Sequence, residues 1–303
     1  KNYYLTQENS FGCKSDTVII PVIIYPKLSG NQVGSNQTIC SGQIAEELTS
    51  ITDPVGGDGQ YLYQWQISID NSNTWTNIPQ ANSKNYSPGS VQVSSKYRRT
   101  VQSGGCDLHI SNEVTITIQG NLADFEITAD QSICAGQTPQ LLKGQQPTGG
   151  SGAYEYQWEQ SDDQNNWTVI SNSNSIDYQP PALTTTRYYR RKVTSGSCSA
   201  YSSAVRILVN QIPVMNNLPD LVYCTGSSTN TIQFTSSAST GMMYQWSSDL
   251  TAIGIANSGT GNLPSFTTTN DQKTPLTASI SVVPILVDGN TQCAGDPKSF
   301  KIT

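Results

Sequence analysis

A stretch of alternating apolar and polar residues places the strongest constraint on the fold of this chain. Between residues 61 and 69, every second side chain is large and apolar: Tyr61, Tyr63, Trp65, Ile67 and Ile69. The side chains between them are mostly polar. A period of two predicts a β-strand that buries one face and exposes the other. The stretch therefore indicates a sheet protein.

The same pattern recurs along the chain, which indicates repeated domains. A second Tyr-x-Tyr-Gln-Trp string ends at Trp158, and a shortened Tyr-Gln-Trp string ends at Trp246. One cysteine precedes each string and another follows it. Self-similarity at a fixed period predicts tandem copies of one structural unit. Short strands, turn residues between them and a Trp near the third strand favour immunoglobulin-like sandwiches.

We predict an all-β fold of tandem immunoglobulin-like β-sandwich domains in an elongated array. The predicted domains are the C-terminal strands of a truncated Ig-like domain at 1–26, Ig-like domains at 27–119 and 120–211, and a divergent sister domain at 212–303. The last three are called copy 1, copy 2 and copy 3. Pro26 and Pro213 stiffen two of the short junctions, which favours a semi-rigid rod. Because Lys1 begins in mid-strand, we expect a fragment of a longer protein.

Composition argues against several functional classes. Charged residues are 13% of the chain and the net charge is −6, so we expect no nucleic-acid partner. No apolar run reaches the ~18–20 residues that cross a membrane, so we expect no direct membrane insertion. The single histidine, His109, leaves almost no material for a His-based metal site or a catalytic triad.

The seven cysteines favour disulfides and an oxidising, extracellular compartment. We take the start of the first strand and the turn before the last strand to lie at the same end of each sandwich. The predicted pairs are therefore Cys40–Cys106, Cys134–Cys198 and Cys224–Cys293. Each would close a loop of roughly 65 residues, which contributes about 4 kcal/mol in the chain-entropy model. Cys13 is left without a partner in this chain.

Two alternatives to this disulfide pattern are weaker. Seven buried free thiols would require a reducing compartment. A metal site is less favoured still, because the sequence has no Cys-x-x-Cys motif and no Cys/His cluster.

A longer string of motifs resembles a known family. Copy 2 contains, in order, Ile133-Cys-Ala-Gly-Gln, Tyr156-Gln-Trp, Trp167-Thr-Val-Ile, Tyr178-Gln-Pro, Tyr188-Tyr-Arg-Arg and Ser195-Gly-Ser-Cys, and copy 1 has the corresponding motifs. The string resembles the tandem Ig-like repeats of very large surface adhesins of Bacteroidota, such as the gliding-motility adhesin of flavobacteria. Copy 3 resembles the PKD-like domains that accompany them, although it lacks a Gly-Asp-Gly turn after its Trp. The resemblance implies export by the type IX pathway and display on the outer cell surface.

Two tryptophans are candidates for contact with a ligand. Trp75 and Trp167 follow polar turns, on what we expect to be a strand at a sheet edge. An exposed indole there would suit stacking against a sugar ring, although packing within the domain is the favoured interpretation. The strand phase of the other three tryptophans places them in the core.

Two arginines have an unusual strand position. Arg99 and Arg191 share the phase of apolar neighbours, which would direct them toward the aromatic face, where a guanidinium can stack on a ring. If the strand bulges, they are solvated instead, and the sequence leaves both possibilities open.

Acidic turns in copies 1 and 2 raise the possibility of calcium. Asp70-Asn-Ser-Asn and Asp162-Asp-Gln-Asn occupy the same turn and carry side-chain oxygens that calcium prefers. The first resembles the start of an EF-hand loop, but its twelfth position is Ala81 and not Glu. Asx-turn chemistry explains both turns without a metal, so we expect no required cofactor.

These features favour a non-catalytic segment of a bacterial surface adhesin. It would act as an extended stalk and as a weak multivalent surface, in gliding motility or surface attachment. Expected partners are neighbouring repeats of the same long chain and a surface polysaccharide or other external ligand. The alternative is a carbohydrate-binding accessory region of a secreted polysaccharide-degrading enzyme. An enzyme is disfavoured because no paired carboxylates or activated nucleophile recur.

Overall fold

The computed structural model describes residues 1–69 and 74–303, and all regular secondary structure within them is β. The strands are β1 (Asn2–Leu5), β2 (Val18–Pro21), β3 (Gln32–Val33), β4 (Gln37–Cys40), β5 (Ser50–Thr52), β6 (Leu62–Ile69), β7 (Thr76–Asn77), β8 (Ser95–Gln102), β9 (His109–Ile110), β10 (Val114–Ala123), β11 (Gln131–Cys134), β12 (Thr148–Gly150), β13 (Glu155–Ser161), β14 (Thr168–Val169), β15 (Arg187–Ser195), β16 (Cys198–Tyr201), β17 (Val205–Asn210), β18 (Met242–Ser248), β19 (Ser258–Thr260), β20 (Ala278–Asp288), β21 (Thr291–Ala294) and β22 (Lys298–Ile302).

Copy 1 is a sandwich of one large and one small sheet. The large sheet runs β10-β8-β6-β7, with β4 parallel to β10 on its other side and β9 beside β8. The small sheet pairs β3 with β5, and a bridge between Leu48 and Tyr86 extends this layer. Val33, Leu48, Trp65 and Tyr97 meet between the layers in one apolar core.

Copies 2 and 3 each form a main sheet and an apolar core of their own. The main sheet of copy 2 runs β11-β17-β15-β13-β14, and β11 is parallel to β17 as β4 is to β10. In copy 3 the order is β19-β18-β20-β21, and β22 also pairs with β20. Residues 1–26 contribute the antiparallel pair β1–β2. The predicted fold class is confirmed, since the chain folds as tandem Ig-like β-sandwiches.

The chain divides into two compact units, and their borders place Cys40 with Cys198 in one unit and Cys134 with Cys293 in the other. One unit contains residues 1–123 together with the turns at 149–153 and 195–198. The other contains residues 124–148, 154–194 and 199–303. Two turns of copy 2 therefore pack with copy 1.

The recurring tryptophans form the cores, as predicted. Trp65 and Trp158 are 0% exposed and Trp246 is 5% exposed. The Trp65 indole donates a hydrogen bond to the Ser83 carbonyl at 3.0 Å, and the Trp158 indole donates to the Ser175 carbonyl at 3.0 Å. A buried indole N–H needs such an acceptor, so the ring is fixed in orientation as well as in depth.

Arg99 and Arg191 lie inside the sandwiches, each 0% exposed. The Arg99 guanidinium carbon is 5.0 Å from the centroid of the Tyr63 ring, so the stacking interpretation holds and the solvated one does not. Its Nε donates to Asn31 Oδ1 at 2.8 Å and one NH2 group donates to Ser50 Oγ on β5 at 3.1 Å. Arg99 thus ties β8 to the opposite layer.

The Arg191 guanidinium satisfies its charge with backbone dipoles. It donates to the carbonyls of Ile176, Phe125 and Gln145 at 2.9, 3.1 and 2.8 Å. Burial lowers the pKa of both Arg99 and Arg191 from the ordinary arginine value. Such a buried cation is tolerated only where acceptors surround it. Replacing the arginine by a smaller residue would leave those acceptors without a donor and would lower the stability of the fold.

The described residues contain no helix with the length and hydrophobicity that a membrane crossing requires.

We predict that Trp158→Ala lowers the free energy of unfolding by about 3–5 kcal/mol, because it removes a fully buried ring and leaves a cavity. Trp167→Ala is the control. Trp167 is half-buried, and this substitution removes mainly the contact with the Arg190 guanidinium, which contributes about 1 kcal/mol. Urea unfolding of both variants measures the difference. Equal destabilisation would contradict the core role of Trp158.

A second prediction concerns high pH. Burial, with a smaller contribution from Tyr178, raises the pKa of Tyr189 to about 12. The folded state therefore holds the phenol proton more tightly than the unfolded state, whose tyrosine pKa is about 10. This stability is fully present below pH 10 and is lost as the pH rises toward 12.

Tyr189→Phe should remove the contribution of Tyr189 to this pH dependence, while Tyr86, Tyr97 and Tyr178, whose pKa burial also raises, keep theirs. The Tyr189 hydroxyl finds no hydrogen-bond partner among the described residues, so the variant should be as stable as the parent at pH 7 or slightly more stable. Urea unfolding at pH 7 and above pH 10, with free thiols alkylated, measures both effects. Tyr188→Phe, at the half-buried neighbour, is the control. A Tyr189→Phe profile parallel to the parent profile would contradict the account.

Candidate functional site: cysteine junctions between copies

In each copy, the early cysteine precedes the tryptophan string and the late cysteine follows it. A tight turn presents Cys198, the late cysteine of copy 2. Strand β15 ends at Ser195, and Gly196 takes a positive φ of 59° that a side chain would disfavour. The Ser197 N–H donates to Gln119 Oε1 at 3.0 Å, and the Ser197 hydroxyl donates to the Thr38 carbonyl. These bonds hold the turn against the end of copy 1.

The turn delivers Cys198 to the early cysteine of copy 1. Cys40 and Cys198 form a disulfide with a Cα–Cα distance of 5.4 Å and a sequence separation of 158. Both are buried. This disulfide joins one copy to the next.

The junction between copies 2 and 3 repeats the arrangement. Cys134 and Cys293 form a disulfide with a Cα–Cα distance of 5.5 Å and a separation of 159. Thr291 Oγ1 donates to the Ser132 carbonyl at 3.1 Å, and Ser132 Oγ donates to Asp288 Oδ2 at 3.2 Å. Polar contacts thus surround the second disulfide as they do the first.

The within-domain pairing predicted from the sequence is wrong. The predicted pairs were Cys40–Cys106, Cys134–Cys198 and Cys224–Cys293, whereas the structure forms Cys40–Cys198 and Cys134–Cys293. Among the described residues, Cys13, Cys106 and Cys224 have no disulfide partner.

The physical reason is that the two cysteines of one copy lie at opposite ends of the sandwich. Cys40 pairs in register with Gln119 in the second half of β10, near the start of β8. Cys106 follows the far end of β8, a strand of eight residues. At ~3.3 Å per residue, that strand alone separates the ends by roughly 25 Å. A disulfide requires Cα atoms within about 7 Å.

The signal that could have revealed this is strand direction. The spacing of the cysteines in the sequence is equally regular for the pairs within a copy and for the pairs between copies, so it does not distinguish them. The early cysteine closes a strand that runs parallel to the last strand of its own copy, so it lies where the chain leaves the domain. The neighbouring copy begins there.

Trp75 and Trp167 lie on the outer face of their sheets and are half-buried. The Arg98 guanidinium carbon is 4.1 Å from the Trp75 ring centroid, and Arg190 is 4.2 Å from that of Trp167. Arg190 is also 4.2 Å from the Tyr201 ring, so it lies between two aromatics. One face of each indole is therefore in contact with a guanidinium.

The acidic turn of copy 2 is organised by its own hydrogen bonds. Asp163 Oδ1 accepts from the backbone N–H groups of Asn165 and Asn166 at 2.9 and 2.8 Å. The bonds from Asn166 and Asn165 hold the pKa of Asp163 well below its usual range. Asp162 pairs with Arg187 at 3.0 Å. Both carboxylates have protein partners, and the corresponding turn at 70–73 lies outside the described residues.

In the described part of the chain, no group of three or more His, Cys, Asp or Glu side chains is placed to hold a metal ion.

The fold and the junctions define a class of protein: tandem Ig-like sandwiches with disulfides between successive copies. The sequence profile of a family described as "Domain of unknown function (DUF8696)" matches residues 29–120 and again residues 124–211. The chain belongs to this family. No curated protein sequence matches the chain.

Solved structures of several multi-domain proteins align with most of this chain. The titin I-band fragment I67–I69 has a TM-score of 0.49 and 10% identity, and the match covers 93% of this chain and 99% of that one. Three N-terminal domains of the bacteriophage RB49 outer capsid protein Hoc match with a TM-score of 0.41 and 14% identity, over 90% and 97%. Drosophila OTK extracellular domains 3–5 match with a TM-score of 0.36 and 12% identity, over 91% and 97%.

We predict that Cys134→Ser lowers the free energy of unfolding by about 5 kcal/mol, the chain-entropy value for a loop of this length. Cys224→Ser is the matched control and should change it by less than about 0.5 kcal/mol, because Cys224 is exposed and has no disulfide partner among the described residues. Urea unfolding without reductant measures both. Strong destabilisation by Cys224→Ser would restore the within-domain pairing.

Proposed function

We propose that this chain is a non-catalytic repeat segment of a bacterial cell-surface adhesin that acts as an extended stalk. The observation that carries the proposal is the pair of disulfides between successive copies. Each disulfide closes a loop with a sequence separation of 158 or 159 residues, so a pulling force cannot extend the residues inside that loop while the bond is intact. A load-bearing spacer needs that property, and a folded enzyme does not.

The cysteine chemistry supports an extracellular location. Disulfides persist in oxidising compartments and are rare in reducing ones. Both disulfides are buried, and each is flanked by hydrogen bonds from the neighbouring copy. We place the chain on the bacterial outer surface, exported by the type IX pathway of Bacteroidota, because its motifs resemble the repeats of gliding adhesins.

We propose the domain borders 1–26, 27–119, 120–211 and 212–303, with copy 3 as the divergent, PKD-like member. The two family matches, at 29–120 and 124–211, support the two central borders. Separate apolar clusters around Trp65, Trp158 and Trp246 support one core for each complete copy.

Adhesion within this segment would rest on weak contacts repeated from copy to copy, with avidity supplying the strength. The proposed ligand is a surface polysaccharide or another external polymer. The alternative, a carbohydrate-binding accessory region, depends on the faces of Trp75 and Trp167. The guanidinium on one face of each ring supports packing and leaves less apolar surface for a sugar.

Small-angle scattering of the oxidised chain tests the stalk. A compact globule of this length has a radius of gyration of ~19 Å. Three sandwiches of roughly 35–40 Å each, placed end to end, should give roughly 30 Å. Circular dichroism on the same sample shows that the chain is folded. A folded chain with a value near ~19 Å would exclude the stalk.

A further inference from the structure

The unpaired cysteines occupy the same positions as the paired ones. Cys106 follows β8 as Cys198 follows β15, so it is the late cysteine of copy 1. Cys224 is the early cysteine of copy 3, as Cys40 is of copy 1 and Cys134 of copy 2. Two of the three early cysteines are bonded to the late cysteine of the next copy.

The late-cysteine turn of copy 1 already has the conformation of the bonded turn. Gly104 has a φ of 56°, against 59° at Gly196. Cys106 Sγ lies 3.8 Å from the Pro26 carbonyl oxygen, and Cys198 Sγ lies 3.7 Å from that of Gly120. A cleft of about 480 Å³ borders Cys106 and is lined by Tyr25, Leu28 and His109.

The early-cysteine turn of copy 3 also matches its bonded counterparts. The residue three positions after each early cysteine donates its N–H back to the cysteine carbonyl, at 3.1 Å in copy 1, 3.0 Å in copy 2 and 3.2 Å in copy 3. The glycine two positions after the cysteine has a φ of 81°, 85° and 81° in the three copies. The conformation of the turn therefore does not depend on the disulfide.

The early-cysteine turn of copy 3 lies beside the last strand of its copy, as the bonded turns do in copies 1 and 2. The Tyr223 N–H donates to the Thr303 carbonyl at 2.9 Å, which places Cys224 beside the end of the last strand. In copy 1 the residue after the early cysteine makes the bond to the last strand, since the Ser41 N–H donates to the Gln119 carbonyl at 3.0 Å. A cavity of about 360 Å³ opens beside Cys224, lined by Tyr223, Thr225 and Thr303.

We propose that Cys224 and this cavity are the docking site for the late-cysteine turn of a further repeat joined behind copy 3. By the same rule, Cys106 takes the early cysteine of the repeat in front of copy 1. The rule is one disulfide per junction, from the early cysteine of each copy to the late cysteine of the next. The occupant is a repeat of the same chain, because both existing junctions use the turn of the directly following copy.

The chemistry of the new bond is thiol oxidation by a disulfide oxidant. The thiols of Cys224 and the incoming cysteine lose two protons and two electrons as their S–S bond forms. Oxidised glutathione, the oxidant in the test below, takes these up, and its own S–S bond breaks to give two glutathione thiols.

The test extends the full chain by one repeat. A second copy of residues 120–211 is joined directly after Thr303, with Ser199→Thr in the added copy as a mass marker. The protein is oxidised with a glutathione redox buffer, free thiols are alkylated, and peptides are mapped without reduction. The expected result is a new link between Cys224 and the marked late-cysteine peptide, with Cys40–Cys198 and Cys134–Cys293 retained. The control is Cys198→Ser in the added copy, which should return Cys224 to the alkylated fraction.

A second extension covers the case in which the first added repeat does not fold. It carries residues 27–119 after Thr303. The proposal requires a link between Cys224 and the Cys106 of the added repeat. Alkylated Cys224 in both extensions overturns the proposal. A Cys224 link that appears only in covalent dimers also overturns it, because the partner would then be a second chain.

Discussion

The structure depends on the antiparallel pairing of the tryptophan strand with the arginine strand in copies 1 and 2. Strands β6 and β8 pair over eight positions, with Trp65 opposite Arg99, and β13 and β15 place Trp158 opposite Arg191. One member of each pair fills the core and the other ties the layers together through carbonyl and side-chain acceptors. Immunoglobulin domains commonly use a buried disulfide to join the layers beside this Trp. Here the guanidinium has that role, so the cysteines are free to act elsewhere.

The same pairing sets the position of the cysteines. The arginine strand runs the length of the sheet. The turn with the late cysteine follows its far end, and the strand with the early cysteine lies beside its near end, so the two cysteines lie at opposite ends of one domain. The late cysteine therefore faces the preceding copy and the early cysteine faces the following one. Both observed disulfides satisfy this geometry, with separations of 158 and 159 residues. The result is a chain whose domains fold around separate cores but are covalently joined to their neighbours.

Much of this could be predicted from the sequence, because local patterning reports burial directly. The period-two pattern around Trp65 and Trp158 identified the core strand. The phase of Arg99 left a buried and a solvated position open, and the structure buries it. The disulfide pairing could not be predicted in the same way. The pairing depends on strand direction and on which end of a sandwich meets the following sandwich. Cys106 and Cys198 occupy equivalent positions in their copies, and this regular spacing carries no information about which ends meet. The guanidinium stacking on Trp75 and Trp167 was also missed, since it involves Arg98 and Arg190 on the solvent face.

The central claim is that the disulfides join successive copies, and cleavage at the first junction tests it most directly. A protease recognition sequence is inserted between Ala123 and Asp124, free thiols are alkylated, and the protein is cut and then denatured. With Cys40 bonded to Cys198, the two pieces should migrate as one species without reductant and as two species with it. Separation of the pieces without reductant would show that the disulfides lie within the copies and would contradict the account.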